Sequence, residues 1–174
     1  WAHAGAMSVS SSMKLTEMSV GNTTIDNSQG VSVAGLNGHC VLSSLDGVSG
    51  YAFYPDPEPA MAYLAEHRAE VCKRLGEFRG NHLWGSQINL TVFPNLQLLP
   101  GLNWLRIYQP KGPGKLEMWT WAMVDKQMPD NLKRAILDNV TRTFGPAGLF
   151  DNDDGDNLQA CTELSRGWRT RQMD

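Results

Sequence analysis

The stretch NWLRIYQPKGPGKLEMWTWAMVD, residues 103 to 125, restricts the fold more than any other part of the chain. Two apolar, aromatic-rich runs flank KGPGK, whose glycines and proline signal a turn, so the runs pair as an antiparallel hairpin. In the second run Leu116 and Met118 alternate with Glu117, while Trp119 and Trp121 fall on the opposite face, which predicts at least partial cover on both sides. PDNLKRAILDNVTRTFG follows, with Leu132, Ile136, Val140 and Phe144 in one helical stripe and Gly145 placed to end it. A hairpin followed at once by an amphipathic helix belongs to a sheet with a helix laid on it.

The remaining segments extend that pattern. Residues 8 to 50 carry short runs such as VSVAG, HCVLSSL and GYAFY, read as strands between turns. DPEPAMAYLAEHRAEVCKRLG reads as a helix with Pro59 in its first turn, Met61, Leu64, Cys72 and Leu75 at helical spacing, and Gly76 to stop it. INLTVFP is a further strand. After residue 157, Leu158, Cys161, Leu164 and Trp168 mark a third helix. Strands with helices laid across them predict an α+β fold, a mostly antiparallel sheet with helices on one side.

At 174 residues and 41% hydrophobic, the chain is sized for one core and a single domain. A net charge of −3 argues against nucleic acid or anionic lipid as partners. Six tryptophans suggest a well-filled interior or a lined pocket. Cys40, Cys72 and Cys161 form no metal-type spacing and read as reduced, buried thiols of a cytoplasmic protein. The beginning has no basic-then-apolar signal pattern, and no run reaches membrane-spanning length. Opening on Trp1, the chain reads as a piece of something longer.

TFGPAGLFDNDDGDN, residues 143 to 157, raises a separate question, because four of the chain's 18 acidic residues lie between Asp151 and Asp156. Like charges this close need a cation or a helix N-terminus to offset them. One reading is a helix cap made by Asp153 or Asp154. A second is a calcium loop starting at Asn152, with Asp154, Asp156 and Glu163 as oxygen donors; Asn157 then stands where the tight turn wants glycine. A third is a carboxylate ligand for mononuclear iron, which needs two histidines and one carboxylate on one face and an apolar pocket beside them. Asp154, bracketed by Phe144 and Phe150, suits that role, and the pattern alone leaves all three open.

RTFGPAGLFDNDDGDN (142 to 157) resembles the carboxylate segment of the α subunits of aromatic-ring-hydroxylating dioxygenases, the Rieske non-haem iron oxygenases, nearest to the naphthalene and polycyclic-aromatic type. The similarity runs upstream through INLTVFPNLQLLPGLNWLRIYQPKGPGKLEMWTWAMVDKQMPD, and WAHA at the start resembles the end of the family's histidine segment. It is specific from Thr91 to Asn157 and weak over residues 8 to 60.

The resemblance implies the family's catalytic-domain fold, a START-like helix-grip in which an antiparallel sheet and its helices enclose an apolar cavity, here as a partial catalytic domain over residues 1–174. It places the iron ligands on His3 and Asp154, with the other histidine five residues before His3 and off this chain. It places the substrate pocket on Asn89, Leu99, Phe144 and Phe150. Gln87 stands where naphthalene-type relatives often carry histidine, so their pocket shape is not transferred. His39, His67 and His82 match no ligand position; His67 reads as part of a solvated helix face and the other two as core or turn residues.

The activity implied is insertion of both atoms of O2 into an aromatic hydrocarbon to give a cis-dihydrodiol, with electrons from NADH through a reductase and a ferredoxin. The cofactors implied are Fe(II) here and a 2Fe–2S cluster in a Rieske domain, whose C-x-H pattern is missing from this sequence. The assembly implied is an α-subunit trimer, with or without β subunits. Offering two of three iron ligands, this piece is expected to be inactive and to bind iron weakly by itself. The alternatives are a monooxygenase or demethylase of the same superfamily, or a non-catalytic module that binds apolar ligands.

Overall fold

The computed structural model describes residues 30–44, 56–82, 88–169 and 172. The elements are β1 (Gly30–Ala34), β2 (Cys40–Ser44), α1 (Glu58–Leu75), α2 (Glu77–His82), β3 (Ile88–Val92), β4 (Leu96–Leu99), β5 (Trp104–Pro110), β6 (Leu116–Ala122), α3 (Asp130–Phe144) and α4 (Leu149–Ser165). The six strands form one sheet in sequence order, and every neighbouring pair is antiparallel. This is the α+β arrangement expected. The predicted strand GYAFY lies outside the described residues.

Register decides what faces the helices. Leu99 pairs with Trp104, Gln97 with both Arg106 and Thr91, and directly paired residues share a face. Counting in steps of two, one face of β3, β4 and β5 carries Asn89, Gln97, Leu99, Trp104, Arg106 and Tyr108. The buried core joins Leu99 and Trp104 of that face to Ala60, Tyr63 and Leu64 of α1, to the α3 stripe and to Phe150 of α4. The helices therefore cover this face, with Phe144 of α3 at 5.0 Å from the Trp104 ring.

The α3 stripe is buried as predicted: Leu132, Ile136, Val140 and Phe144 are all 8% exposed or less. Burying each such side chain contributes about 1.5–3 kcal/mol. Differences in helix propensity among ordinary residues stay below about 0.7 kcal/mol each, so burial fixes this helix. The KGPGK turn closes with Lys111 N–H donating to Lys115 O and Lys115 N–H to Gly112 O. Gly76 ends α1 at φ 84, a conformation that disfavours any side chain, while its N–H still donates to Cys72 O.

Four expectations are corrected. Cover of β6 is confined to one end of one face: Thr120 and Ala122 are half-buried beside Arg106 and Trp104, Ala122 against the core, whereas Leu116 and Met118 on that face and Trp119 and Trp121 on the other are exposed, β6 being an edge strand. Trp104 is the one tryptophan among the described residues that is buried. In α1 the inward face is Ala60, Tyr63 and Leu64, whereas Met61 and Leu75 are exposed. The cysteines are free thiols but not buried, with Cys40 and Cys161 exposed and Cys72 half-buried.

The largest correction concerns the acidic stretch. It is not a loop before a third helix; it is the body of α4, which starts at Leu149 after Gly148. Asp153 and Asp154 lie well inside the helix, so neither caps it. Gly148 makes the early start feasible, since a Cβ there would sit 2.5 Å from Thr143 O and block the tight α3–α4 connection. The apolar residues that suggested a later start, Leu158, Leu164 and Trp168, are exposed.

Candidate active site

The site is built where α3 ends and α4 begins, over β5. Phe144 closes α3 and Phe150 lies in the first turn of α4, and the short turn between them brings their rings to 5.4 Å with a 32° tilt. Asp151 and Asp154 follow Phe150 at one and four positions, which places all three on one side of the helix. Phe150 is 5% exposed, and Asp151 and Asp154 are partly buried. From Gly155 to the end of α4 every residue is exposed, although Thr162 comes close to Gly114 of the β5–β6 turn, so the buried contacts of this helix are made by its first two turns.

Arg106 of β5 anchors those two turns. Its Nη2 donates to Asp151 Oδ2 at 2.7 Å and to Phe144 O at 3.2 Å, and its Nε donates to Thr120 Oγ1 at 2.9 Å. The guanidinium also stacks 4.7 Å above the Trp104 ring. One donor-only side chain thus ties together β6, the end of α3 and the start of α4. Both partners of the ion pair are nearly closed to solvent, at 4% and 10% side-chain exposure. Burial pushes the Asp151 carboxyl above its ordinary range, opposed by Arg106 and reinforced by the negative charge of Asp154. Burial likewise raises the Tyr108 phenol, with Arg106 opposing and the charges of Asp151 and Asp154 reinforcing. Asp154 is therefore close enough to act electrostatically on both Asp151 and Tyr108.

Next to this cluster a second polar line crosses the same sheet face. Tyr108 hydrogen-bonds through its OH to Gln97 Oε1, and Gln97 Nε2 donates to Asn89 Oδ1 at 2.8 Å. Three of the four residues expected to line a pocket, Leu99, Phe144 and Phe150, are buried in one core with Trp104. The fourth, Asn89, is half-buried on the same sheet face. The structure sets the Phe144 and Phe150 rings against each other, with Asp154 one helical turn past Phe150, while His3 and Gln87 lie outside the described residues. His39 serves a turn, accepting the Phe93 N–H at Nδ1, and His67 is half-buried, its ring on Tyr63.

Among the described residues no three His, Cys, Asp or Glu side chains gather as a metal cluster. The calcium-loop reading is overturned, because Asn152, Asp154, Asp156 and Glu163 lie along a continuous helix and cannot wrap one ion as a loop does. A different concavity, a cleft of about 500 Å³, opens between α1 and the segment after β6. Glu70, Arg74, Asp125 and Lys126 line it together with Val71 and Leu75, and it holds none of the expected site residues.

Sequence reasoning missed Arg106, Tyr108, Gln97 and the pairing role of Asp151. A signal was present: in WLRIY a period of two puts Arg106 on the Trp104 face, and an inward arginine calls for an acid partner.

The family described as "Ring hydroxylating alpha subunit (catalytic domain)" matches residues 1–174. The large oxygenase component of a naphthalene 1,2-dioxygenase system from Pseudomonas aeruginosa is 36% identical over 129 residues, covering 74% of this chain and 28% of the relative. A benzene 1,2-dioxygenase α subunit from Pseudomonas putida is 34% identical over 137 residues, covering 72% of this chain and 30% of the relative. The chain thus spans less than a third of either relative's length. Among solved structures, a naphthalene 1,2-dioxygenase with indole in its active site superposes with a TM-score of 0.73 at 33% identity, over 82% of this chain and 32% of that one. A phenanthrene-bound naphthalene 1,2-dioxygenase carrying a phenylalanine-to-valine substitution gives 0.80 at 28% identity, over 98% of this chain and 38% of that one.

Proposed function

We propose a function from one premise: the chain belongs to the ring-hydroxylating α-subunit family, matched to its catalytic domain. Residues 1–174 are a part of that domain, and a Rieske domain with its 2Fe–2S cluster belongs to the longer protein. The reaction is cis-dihydroxylation of a polycyclic aromatic hydrocarbon with O2. NADH supplies the electrons through a reductase and a ferredoxin, and the α subunits assemble as trimers, with or without β subunits.

The donor chemistry at α4 fits a mononuclear iron centre. A partly buried carboxylate on a rigid helix, one turn past a buried phenylalanine, is what such a centre needs beside an apolar substrate. Asp154 and His3, with one further histidine, would hold Fe(II), which when bound supplies activation of O2. Asp151 is committed elsewhere, since Arg106 holds it at 2.7 Å. Phe144 and Phe150 give the ring an apolar wall, where each favourable aromatic pair adds roughly 0.5–1.5 kcal/mol beyond area burial. Leu99 backs that wall, Asn89 supplies a polar edge, and all of them exclude water from the reacting ring.

The observation that carries this reading is the shared helical side of Phe150 and Asp154, set against Phe144. Replacing Asp154 with Ala in the intact enzyme is expected to abolish iron retention, whereas Asp156→Ala, on the exposed part of α4, leaves it unchanged. Iron measured by elemental analysis at one per subunit in the Asp154 variant would overturn the assignment.

A further inference from the structure

We propose that the Tyr108–Gln97–Asn89 hydrogen-bond chain orients the Asn89 amide so that its NH2 faces the ligand, making the pocket select fused-ring aromatics that carry a hydrogen-bond acceptor at the ring edge. This rests on the reading above that Asn89 lines the substrate pocket, and it adds the polar chemistry that the pocket recognises.

An asparagine amide has one accepting and one donating end, and which end faces outward is decided by what holds the other. Here the decision is made two residues away, at Tyr108. Tyr108 lies two positions after Arg106 on the same face of β5, beside its positive charge. The Tyr108 OH donates to Gln97 Oε1. That leaves Gln97 Nε2 to donate, which it does to Asn89 Oδ1 at 2.8 Å. The accepting end of Asn89 is thereby occupied. Its Nδ2 has no hydrogen-bond partner among the described residues, and Asn89 is only half-buried on the helix-facing side of β3. Tyr108 and Gln97 are positioning residues: they act through Asn89. Arg106, next to Tyr108 on the same face, is itself fixed by Thr120, Phe144 O and Asp151, so a charge held against the helix that carries Asp154 lies beside the start of the chain.

A matched pair of ligands isolates the effect. 1-Indanone carries a ring-edge carbonyl, and indane is its hydrocarbon counterpart. Dissociation constants for both are measured on the intact, iron-loaded enzyme without reductant, so that no turnover intervenes. Relative to the unsubstituted protein, Tyr108→Phe is expected to lower the indane-to-indanone ratio of dissociation constants by about two- to tenfold, the worth of one hydrogen bond. Gln97→Glu goes further. A carboxylate cannot donate to Asn89 Oδ1, so the amide turns over and presents its oxygen. Binding of indole, an N–H donor, is then expected to tighten about two- to tenfold relative to its carbon analogue indene. A side chain that merely supported the fold would not reverse a preference. Unmoved ratios in both variants, each folded by circular dichroism, would overturn the proposal while leaving the pocket in place. Absence of all ligand binding in the unsubstituted enzyme would overturn the pocket itself, a result distinct from unmoved ratios.

Discussion

Helices α3 and α4 are neighbours of similar length, 15 and 17 residues, and they are held by different means. In α3 six residues are buried, spaced so that one stripe runs the full helix. In α4 only Phe150 is buried, and four aspartates crowd the first two turns. Hydrophobic burial along its length is the main hold on α3, whereas α4 is secured at its N-terminal end by Phe150 and the Asp151–Arg106 pair. The helix dipole eases the acid load there by roughly 0.3–1 kcal/mol per favourable charge, and the mid-helix Gly155 costs about as much relative to alanine. A helix released from filling the core has positions to give to carboxylates. That is why the aspartates sit on α4 and the stability on α3.

The largest break in this comparison comes from Arg106. Removing one partner of a buried ion pair strands the other charge, so Arg106→Met is expected to cost about 3–5 kcal/mol in chemical denaturation of the intact enzyme. The double variant Arg106→Met, Asp151→Leu is expected to regain most of that loss. The single variant also carries a pH signature. The folded-state pKa of Asp151 is already raised, and loss of Arg106 raises it further. Such a group stabilises the fold while protonated, and that contribution is lost as pH rises from the unfolded-state value of 3.8 through the folded one. The gap between single and double variants should therefore narrow on acidification. A gap independent of pH would mean that α4 is not anchored by this charge pair. Somewhat smaller is Ile136→Ala in α3, a fully buried position, expected to cost roughly 2–5 kcal/mol with no change in iron content.

The same contrast governs what was legible in the sequence. The α3 stripe and the β5–β6 hairpin stand out because period and turn chemistry agree with tertiary burial. The start of α4 was misplaced because Asp151 to Asp156 carries no apolar period, while Leu158, Leu164 and Trp168 carry a misleading one. Strand β4 escaped notice because LQLL is four residues long and alternates only weakly. Asp154, Asn89, Leu99, Phe144 and Phe150 were named by family resemblance, and the fold then set Phe144 and Phe150 ring to ring with Asp154 one helical turn on. Arg106 and Asp151 are 45 positions apart, and nothing local marks such a partnership until a strand and a helix are laid together. Tyr108, Gln97 and Asn89 are hidden for the same reason, since their line runs across strands rather than along one.

The smallest effect sharpens the comparison from the other side. Leu164 lies in the last turn of α4 and is 67% exposed, with Leu158 at 52% on the same half of the helix. Truncating a side chain already in water removes little buried area, so Leu164→Ala is expected to change stability by no more than about 0.5 kcal/mol. Alanine also favours the helix slightly, which offsets part of any loss. Measured beside Ile136→Ala on the intact enzyme, the two leucine-sized truncations should differ severalfold. A loss above about 1 kcal/mol at Leu164 would show that another part of the longer protein packs on this face. The C-terminal half of α4 would then be an interface rather than a solvated end, and the contrast with α3 would be confined to the two turns that carry Asp151 and Asp154.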